Sequence, residues 1–455
     1  MIDKAREIAL KVLYKIEKEE AYSNIALDDA INNNRQNLNE KDIGLISQIV
    51  YGVTTWRLTL DAIIEKNSKI KLKKISPWIL NILRMGIYQI IFLDKIPNHS
   101  AVDESVNLAK RYGNQGSKGF VNAVLRKITV KDYEDLFNIE NKIEKISKTQ
   151  SMPVWIIEEL FKNNKIEDVE EICKNLNLKP DITIRVNNLK TNKQELKDIL
   201  TKKNIVCEEI SNVTNNNEAI SKELDKQHQD FLIIKNAKNI ENLEEFRNGL
   251  FTVQDTSAGL TAIMLDPKEN ETILDACSAP GGKTTYIAEL MNNNGKICAW
   301  DIYPHRIKLI EDNCKRLGIS IVKTKIQDAS QPQNDLTKQQ PTDNQESLQL
   351  FDKILLDVPC LGIGVIKRKP DIKWQRKPED VQEIANLQYE ILQNCAKFLK
   401  ENGILVYSTC SILQEENENI IRKFLQENKK FKIEKEVKIV PSKEADGFYI
   451  CKLLQ

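Results

Sequence analysis

The chain lacks the residue patterns that build metal sites. Its three histidines, His99, His228 and His305, are scattered, and no two of its nine cysteines stand in a C-x-x-C pair. Zinc-ligand spacing is therefore missing, and no metal is expected. An odd number of irregularly spaced cysteines points to reduced thiols rather than a disulfide framework. No apolar run approaches bilayer length. The first residues, with Asp3, Lys4, Arg6 and Glu7, lack a secretory apolar core. The expectation is a soluble cytoplasmic protein with no membrane partner. An excess of one charge sign is missing too: 67 Lys plus Arg stand against 66 Asp plus Glu, a net charge of +1. Global charge thus gives no hold on nucleic acid, and any such partner must be met by local patches. G-x-G-x-x-G is absent, which argues against a nicotinamide dinucleotide.

What is present exceeds one ordinary domain: 455 residues call for two or three. Residues 1–130 read as an all-α bundle. Ala5, Ile8, Ala9, Val12, Leu13 and Ile16 share one helical face, as do Ile43, Ile46, Val50 and Val53, and Leu80, Leu83, Ile87, Ile90 and Ile91. Ser76-Pro77 supplies an N-cap and a first-turn proline, and Ser100 with Asp103 and Glu104 reads as another helix start. The bundle is basic, and Lys66, Lys69, Lys71, Lys73 and Lys74 cluster in it. That cluster is either a solvated face or a phosphate-contacting surface. Residues 131–150 read as a polar connector. Residues 151–250 read as a small α+β module, with helices at 154–163 and 166–175 and strands at 182–186, 205–210 and 231–234. Thr191 with Gln194 looks like a capping box between them.

From 251 to 455 strands and helices alternate, which predicts a doubly wound, largely parallel α/β sheet. Strands are expected at 272–275, 296–301, 321–326, 353–357, 404–408 and 448–453. Residues 331–350 read as a polar surface insertion. Two of the strands run into cysteine motifs, Asp357-Val358-Pro359-Cys360 and Ser408-Thr409-Cys410-Ser411. The strand at 272–275 runs into DACSAPGGKTT (Asp275 to Thr285). Its Cys277, Ser278, Ala279, Pro280, Gly281, Gly282 and Lys283 form a tight turn opening a helix, where unpaired N–H groups attract negative groups. Gly282-Lys283-Thr284 matches the end of a nucleotide P-loop, but Cys277 holds its first glycine position, so the phosphate cradle is incomplete. A nucleoside bearing a carboxylate, such as S-adenosylmethionine, needs less. Asp301, Asp328 and Asp357 follow at the ends of successive strands, where acids can take ribose hydroxyls or a base edge.

These motifs, with the run GVIKRKPDIKW from Gly364 to Trp374, resemble the RNA 5-methylcytosine methyltransferases. Within that family the resemblance is to the small-subunit ribosomal RNA methyltransferase B branch (Sun/Fmu), whose N-terminal bundle is similar to the antitermination factor NusB. The resemblance implies three parts. They are an all-α NusB-like RNA-binding bundle, a small α+β middle module and a C-terminal Rossmann-like core that uses S-adenosyl-L-methionine. It also implies Cys410 as nucleophile and Cys360 as the thiol that assists product release. Residues Cys277 to Lys283, with Asp301, Asp328 and Asp357, would be the cofactor contacts.

The chemistry explains why two thiols are wanted. Cytosine C5 is a poor nucleophile, and a thiolate adding to C6 makes it reactive, splitting one hard step into two easier ones. The target base must leave any stack. Lys367, Arg368, Lys369, Lys373, Arg376 and Lys377, with Trp374 among them, read as a basic strip suited to single-stranded RNA. The expectation is a monomeric enzyme methylating small-subunit ribosomal RNA. Transfer RNA is the alternative substrate, and a non-catalytic RNA chaperone is the rival class.

Overall fold

The computed structural model describes residues 3–210, 230–237, 239–331 and 350–455. The anticipated insertion at 331–350 lies almost wholly outside them. The chain forms two compact units. One comprises residues 1–177 and the segment Ile366–Pro378; the other comprises Leu178–Val365 and Glu379–Gln455.

The first unit is helical, with a continuous apolar core. Its central helix, Pro77–Phe92, starts as the sequence indicates: Ser76 accepts a hydrogen bond from Ile79 N, and Pro77 stands at the first position. This helix is buried almost all round, so its one cation needs partners. Arg84 meets Asp61 through two hydrogen bonds of 2.7 and 2.8 Å, and Glu17 at 3.1 Å. The helix expected from Ser100 starts earlier, at Asn98. Residues 131–150, read as a polar connector, are largely helical. They contain the helices Val130–Glu134 and Lys142–Thr149, the first closed by a reciprocal Thr129–Asp132 capping box. The helices Val154–Phe161 and Ile166–Asn175 complete this part of the unit.

The basic strip expected to meet RNA is divided: part of it is turned inward, while Lys369 and Lys377 are exposed. Lys373 is 2% exposed, and Lys367 and Asp371 are also buried. The Lys373 ammonium donates to Thr55 O (3.1 Å), Ser151 O (3.1 Å) and Asn177 Oδ1 (2.6 Å). Trp374 Nε1 donates to Thr54 O at 2.8 Å, and Asp371 accepts from Ser23. Helix Glu40–Thr55 ends at these carbonyls, and the last carbonyls of a helix lack internal partners. A cation and an indole N–H therefore cap a helix C-terminus from a distant part of the chain. Basic residues interleaved with an aromatic look alike in sequence whether they face RNA or orphan carbonyls.

The second unit holds two sheets. β1 (Ile182–Val186), β2 (Val206–Glu208), β3 (Phe231–Lys235) and β4 (Phe251–Val253) form an antiparallel sheet of order β2-β3-β1-β4. The capping box predicted at Thr191 is displaced by one residue. Asn192 caps helix Lys193–Lys202 by accepting from Glu195 N, while Thr191 Oγ1 bonds the Glu195 carboxylate. The larger sheet contains β5 (Thr272–Asp275), β6 (Lys296–Asp301), β7 (Val322–Ile326), β8 (Phe351–Asp357), β9 (Leu399–Thr409), β10 (Lys432–Ile439) and β11 (Phe448–Leu454). Its order is β10-β11-β9-β8-β5-β6-β7. The five strands β5 to β9 are mutually parallel, and β11 runs antiparallel to both its neighbours. Apolar clusters pack on both faces. The strand order turns outward between β5 and β8. In open α/β sheets such a switch point leaves a crevice at the carboxyl ends.

Burial lowers the Lys373 pKa from its ordinary 10.5 to about 7. Between those values the unfolded chain holds a proton that the folded chain does not, so stability rises with pH across that window. Lys373→Met should lower the thermal midpoint at pH 7, because three acceptors, Ser151 O among them buried, lose their donor. The gap from the unsubstituted chain should widen between pH 7 and 9.5. Thermal unfolding at the two pH values checks both.

Candidate functional site

Parallel pairing brings the two cysteine motifs together. The β8–β9 register sets Asp357 opposite Ser408, and Val358 N donates to Ser408 O at 3.1 Å. Beyond the pair each strand enters its own loop, and the Sγ atoms of Cys360 and Cys410 lie 3.1 Å apart, both thiols half-buried. Gly364 N donates to Cys410 O at 3.0 Å, and Gly364 O accepts from Gly447 N at 2.9 Å. A Cβ at Gly364 would sit 2.1 Å from Gly447 O, so only glycine permits this approach.

The Cys360 pKa is raised well above 9.0, first by its hydrogen bond with Cys410, then by burial and by the charges of Cys410, Glu416 and Asp357. Beside it, Lys283 Nζ lies 2.6 Å from Asp357 Oδ2 and 5.1 Å from the centre of the Phe448 ring. Ser408 Oγ donates to Asp357 Oδ1 at 3.0 Å. Burial opposes the charge on Lys283. The charge and hydrogen bond of Asp357, with Cys410 and Asp275, outweigh it and raise its pKa.

The glycine turn follows β5. Ser278 donates from both N and Oγ to Trp300 O (2.9 and 2.8 Å), which stitches the loop to β6. The Ala279–Pro280 bond is cis, and Pro280 O accepts from Asn313 Nδ2 at 3.0 Å. Gly281 has φ +98°, in the left-handed region, and a Cβ there would meet Ile310 Cα at 3.2 Å. Helix Gly282–Leu290 begins at this point, so its first N–H groups face the crevice end of the sheet. Cys277 is half-buried, and burial pushes its thiol well up. Asp301 is buried at the end of β6 and accepts from Tyr303 N at 3.1 Å. Asp328 differs from the other acids. It is exposed, two residues past β7, and accepts from Ser330 N and Oγ in a local turn. Asp357 closes the set at the end of β8.

One acid of this edge was not singled out by the sequence pattern. Asp275 is fully buried, and its Oδ2 accepts from Thr284 Oγ1 at 2.7 Å. Its Oδ1 has no partner among the described residues. Burial raises its pKa to about 7, against the Thr284 hydrogen bond. A buried orphan acceptor, a glycine turn, open helix N–H groups and a strand-end acid are a donor set that fits a polar nucleoside with a charged tail. The residues present thus fit S-adenosylmethionine. Among the described residues no cluster of three or more His, Cys, Asp or Glu could hold a metal ion, and no helix is long and apolar enough to cross a membrane.

Arg185 was also missed. It projects from β1, 0% exposed, and meets Glu289 at 3.1 and 2.7 Å, Gly282 O at 2.9 Å and Thr285 Oγ1 at 3.2 Å. It also donates to Gln254 Oε1 and lies 4.5 Å from the Tyr286 ring centre. The small sheet thereby holds the helix that carries the glycine turn. A charged residue inside the apolar strand Ile182–Val186 was the available signal. In the helical unit, Lys66 is taken by Asp132 and Asp135, whereas Lys69, Lys71 and Lys73 line one open cleft with Glu65.

An open, doubly wound sheet with a glycine turn at its switch point defines the nucleoside-binding transferase class of fold. Comparison with known proteins narrows this. A family model described as 16S rRNA methyltransferase RsmB/F matches residues 262–454. The NusB family matches 3–130, and a ferredoxin-like domain of RsmF/B-like methyltransferases matches 152–221. A probable ribosomal RNA small subunit methyltransferase B from Bacillus subtilis is 34% identical, over 98% of both chains. The solved structure of PH0851 superposes with a TM-score of 0.78 at 26% identity, over 100% of both chains. That of NSun6 from Pyrococcus horikoshii with SFG covers 67% of this chain and 98% of its own, with a TM-score of 0.53 at 24% identity. The chain belongs to the RsmB/F family of 16S rRNA methyltransferases, S-adenosylmethionine-dependent enzymes that act on RNA.

Removing one partner of a buried ion pair leaves the other charge uncompensated. Arg185→Met should therefore cost about 3–5 kcal/mol in the second unit, read by chemical denaturation.

Proposed function

We propose that the protein transfers a methyl group from S-adenosylmethionine to C5 of a cytidine in small-subunit (16S) ribosomal RNA, through a covalent bond between Cys410 Sγ and C6. One observation carries this reading: two thiols 3.1 Å apart, just past adjacent strand ends, beside the Lys283–Asp357 ion pair. The thiolate is the nucleophilic form of cysteine, and burial with nearby negative charge disfavours it at Cys360. Cys410 is the attacking sulfur and Cys360 the thiol that assists product release. Lys283 adds a fixed positive charge on the same side of the site.

The residues act in sequence. Cys410 adds to C6 and electron density moves to C5, while Asp357, hydrogen-bonded to Ser408 and paired with Lys283, accepts from the N4 amino group of the base. The bound methyl donor supplies an electrophilic carbon. Once C5 is methylated, a water beside Cys360 takes the C5 proton, that C–H pair forms the C5=C6 bond, the C6–Sγ pair goes to sulfur, and Cys410 returns as thiolate. Cys277 to Lys283, Asp301 and Asp328 hold the donor. SFG, the molecule in the NSun6 structure, is an S-adenosylmethionine analogue, which supports this placement on a shared fold. RNA contacts outside the site come from the helical bundle through Lys69, Lys71 and Lys73. The enzyme works as a monomer in the cytoplasm, where its ribosomal substrate is made.

Cys410→Ala should abolish methyl transfer. Cys360→Ser should leave an RNA–protein adduct that survives denaturing electrophoresis. Bisulfite sequencing of RNA from cells with and without the protein should show one protected cytidine lost from 16S RNA. A loss confined to transfer RNA would reassign the substrate, and an unchanged pattern with no adduct would remove the reading.

A further inference from the structure

Strand pairing positions the two cysteine loops only as far as Asp357 and Ser408. Cys360 and Cys410 lie beyond it, where the loops are joined by Gly364 N donating to Cys410 O and by side chains. Glu416 supplies a side-chain tie next to both thiols. Its side chain is 0% exposed, and its Oε2 accepts from Leu361 N at 2.9 Å and from Gln388 Nε2 at 3.1 Å. Its Oε1 accepts from Ser411 Oγ. Leu361 follows Cys360 in the chain and Ser411 follows Cys410, so one carboxylate grips the residue after each thiol. Gln388 also donates to Pro359 O at 2.9 Å, which holds the residue before Cys360. Glu416 is itself fixed: its carbonyl accepts from Tyr407 OH at 2.6 Å, and Tyr407 is on β9.

An ionised carboxylate only accepts, and three donors are aimed at this one. Burying a carboxylate is costly, and a site that required only packing would be served as well by an apolar residue. The arrangement has value where geometry must be held to a fraction of an ångström. The geometry points to Glu416 as a positioning residue: it ties the Cys360 loop to the Cys410 loop and sets the separation of the two thiols. This rests on the cysteine chemistry proposed above. The negative charge of Glu416 has a second effect, since it helps hold the proton on Cys360.

The test compares Glu416→Ala and Glu416→Gln in the full chain. The first readout is the rate at which an aromatic disulfide oxidises Cys360 and Cys410 to an intramolecular disulfide, releasing two equivalents of aromatic thiol. It reports loop geometry without RNA. The second is single-turnover methyl transfer, and the third is affinity for S-adenosylmethionine. E416A should slow cross-linking and methyl transfer by about 100-fold, with donor affinity unchanged. E416Q keeps an acceptor for Leu361 and Gln388, while Ser411 Oγ can turn to accept. It should recover most of both rates and shift the pH profile of adduct release downward, because a negative charge has left the neighbourhood of Cys360. Wild-type rates in E416A would overturn the assignment. Should E416A fail to unfold cooperatively, E416Q decides alone, and an unmoved pH profile there counts against it. Normal cross-linking in a wild-type protein that methylates no RNA would defeat the function proposed above and leave the positioning role standing.

Discussion

Parallel strands that share hydrogen bonds must end side by side, and the site depends on this constraint between β8 and β9. Their register fixes Asp357 against Ser408. Two loops of unrelated sequence then start from one edge, each with a cysteine two or three residues on. The third element, β5, pairs with β8 on its other side and brings the glycine turn to the same edge. Lys283 bridges the two by its ion pair with Asp357. Moving β8 by one residue would turn its side chains to the opposite face and take the acid and the thiol away together.

Around this edge the protein places charge where burial makes charge expensive. Arg185 and Glu289 hold the glycine-turn helix, Glu416 joins the cysteine loops, and Asp275 waits with one oxygen unpartnered. The first two groups are matched by directed donors and acceptors, and they hold geometry. The last has one oxygen without a partner among the described residues, which suits an acceptor in a ligand cradle.

Much of this was legible in the sequence because it rests on period and punctuation. The strands β5, β6, β8 and β9 were apparent as apolar runs ending in Asp, Ser or Cys, and the helical bundle from its three-four spacing. β10 was not, since Lys432–Ile439 carries charges throughout its length. The cysteines and the glycine turn were readable because each follows a buried strand. Glu416 could not be singled out: it stands in the run Gln414 to Glu418, whose neighbours look like a solvated helix start. Its role comes from partners far away in the chain. Lys373 and Trp374 failed for a related reason, because a cation that caps a distant helix has no local mark.

The helical unit is discontinuous: residues 1–177 supply its helices, yet Ile366–Pro378 supplies the donors for Thr54, Thr55 and Ser151. During synthesis, a nascent chain that has emerged through residue 177 still lacks those donors, and its exposed carbonyls remain bonded to water. They are satisfied only after β5 to β8 and the Cys360 loop have been made. The helical unit therefore completes its hydrogen bonding after much of the other unit has been made, although most of it is translated first. A genetic cut between the two halves would leave Lys373 with no oxygens to receive it.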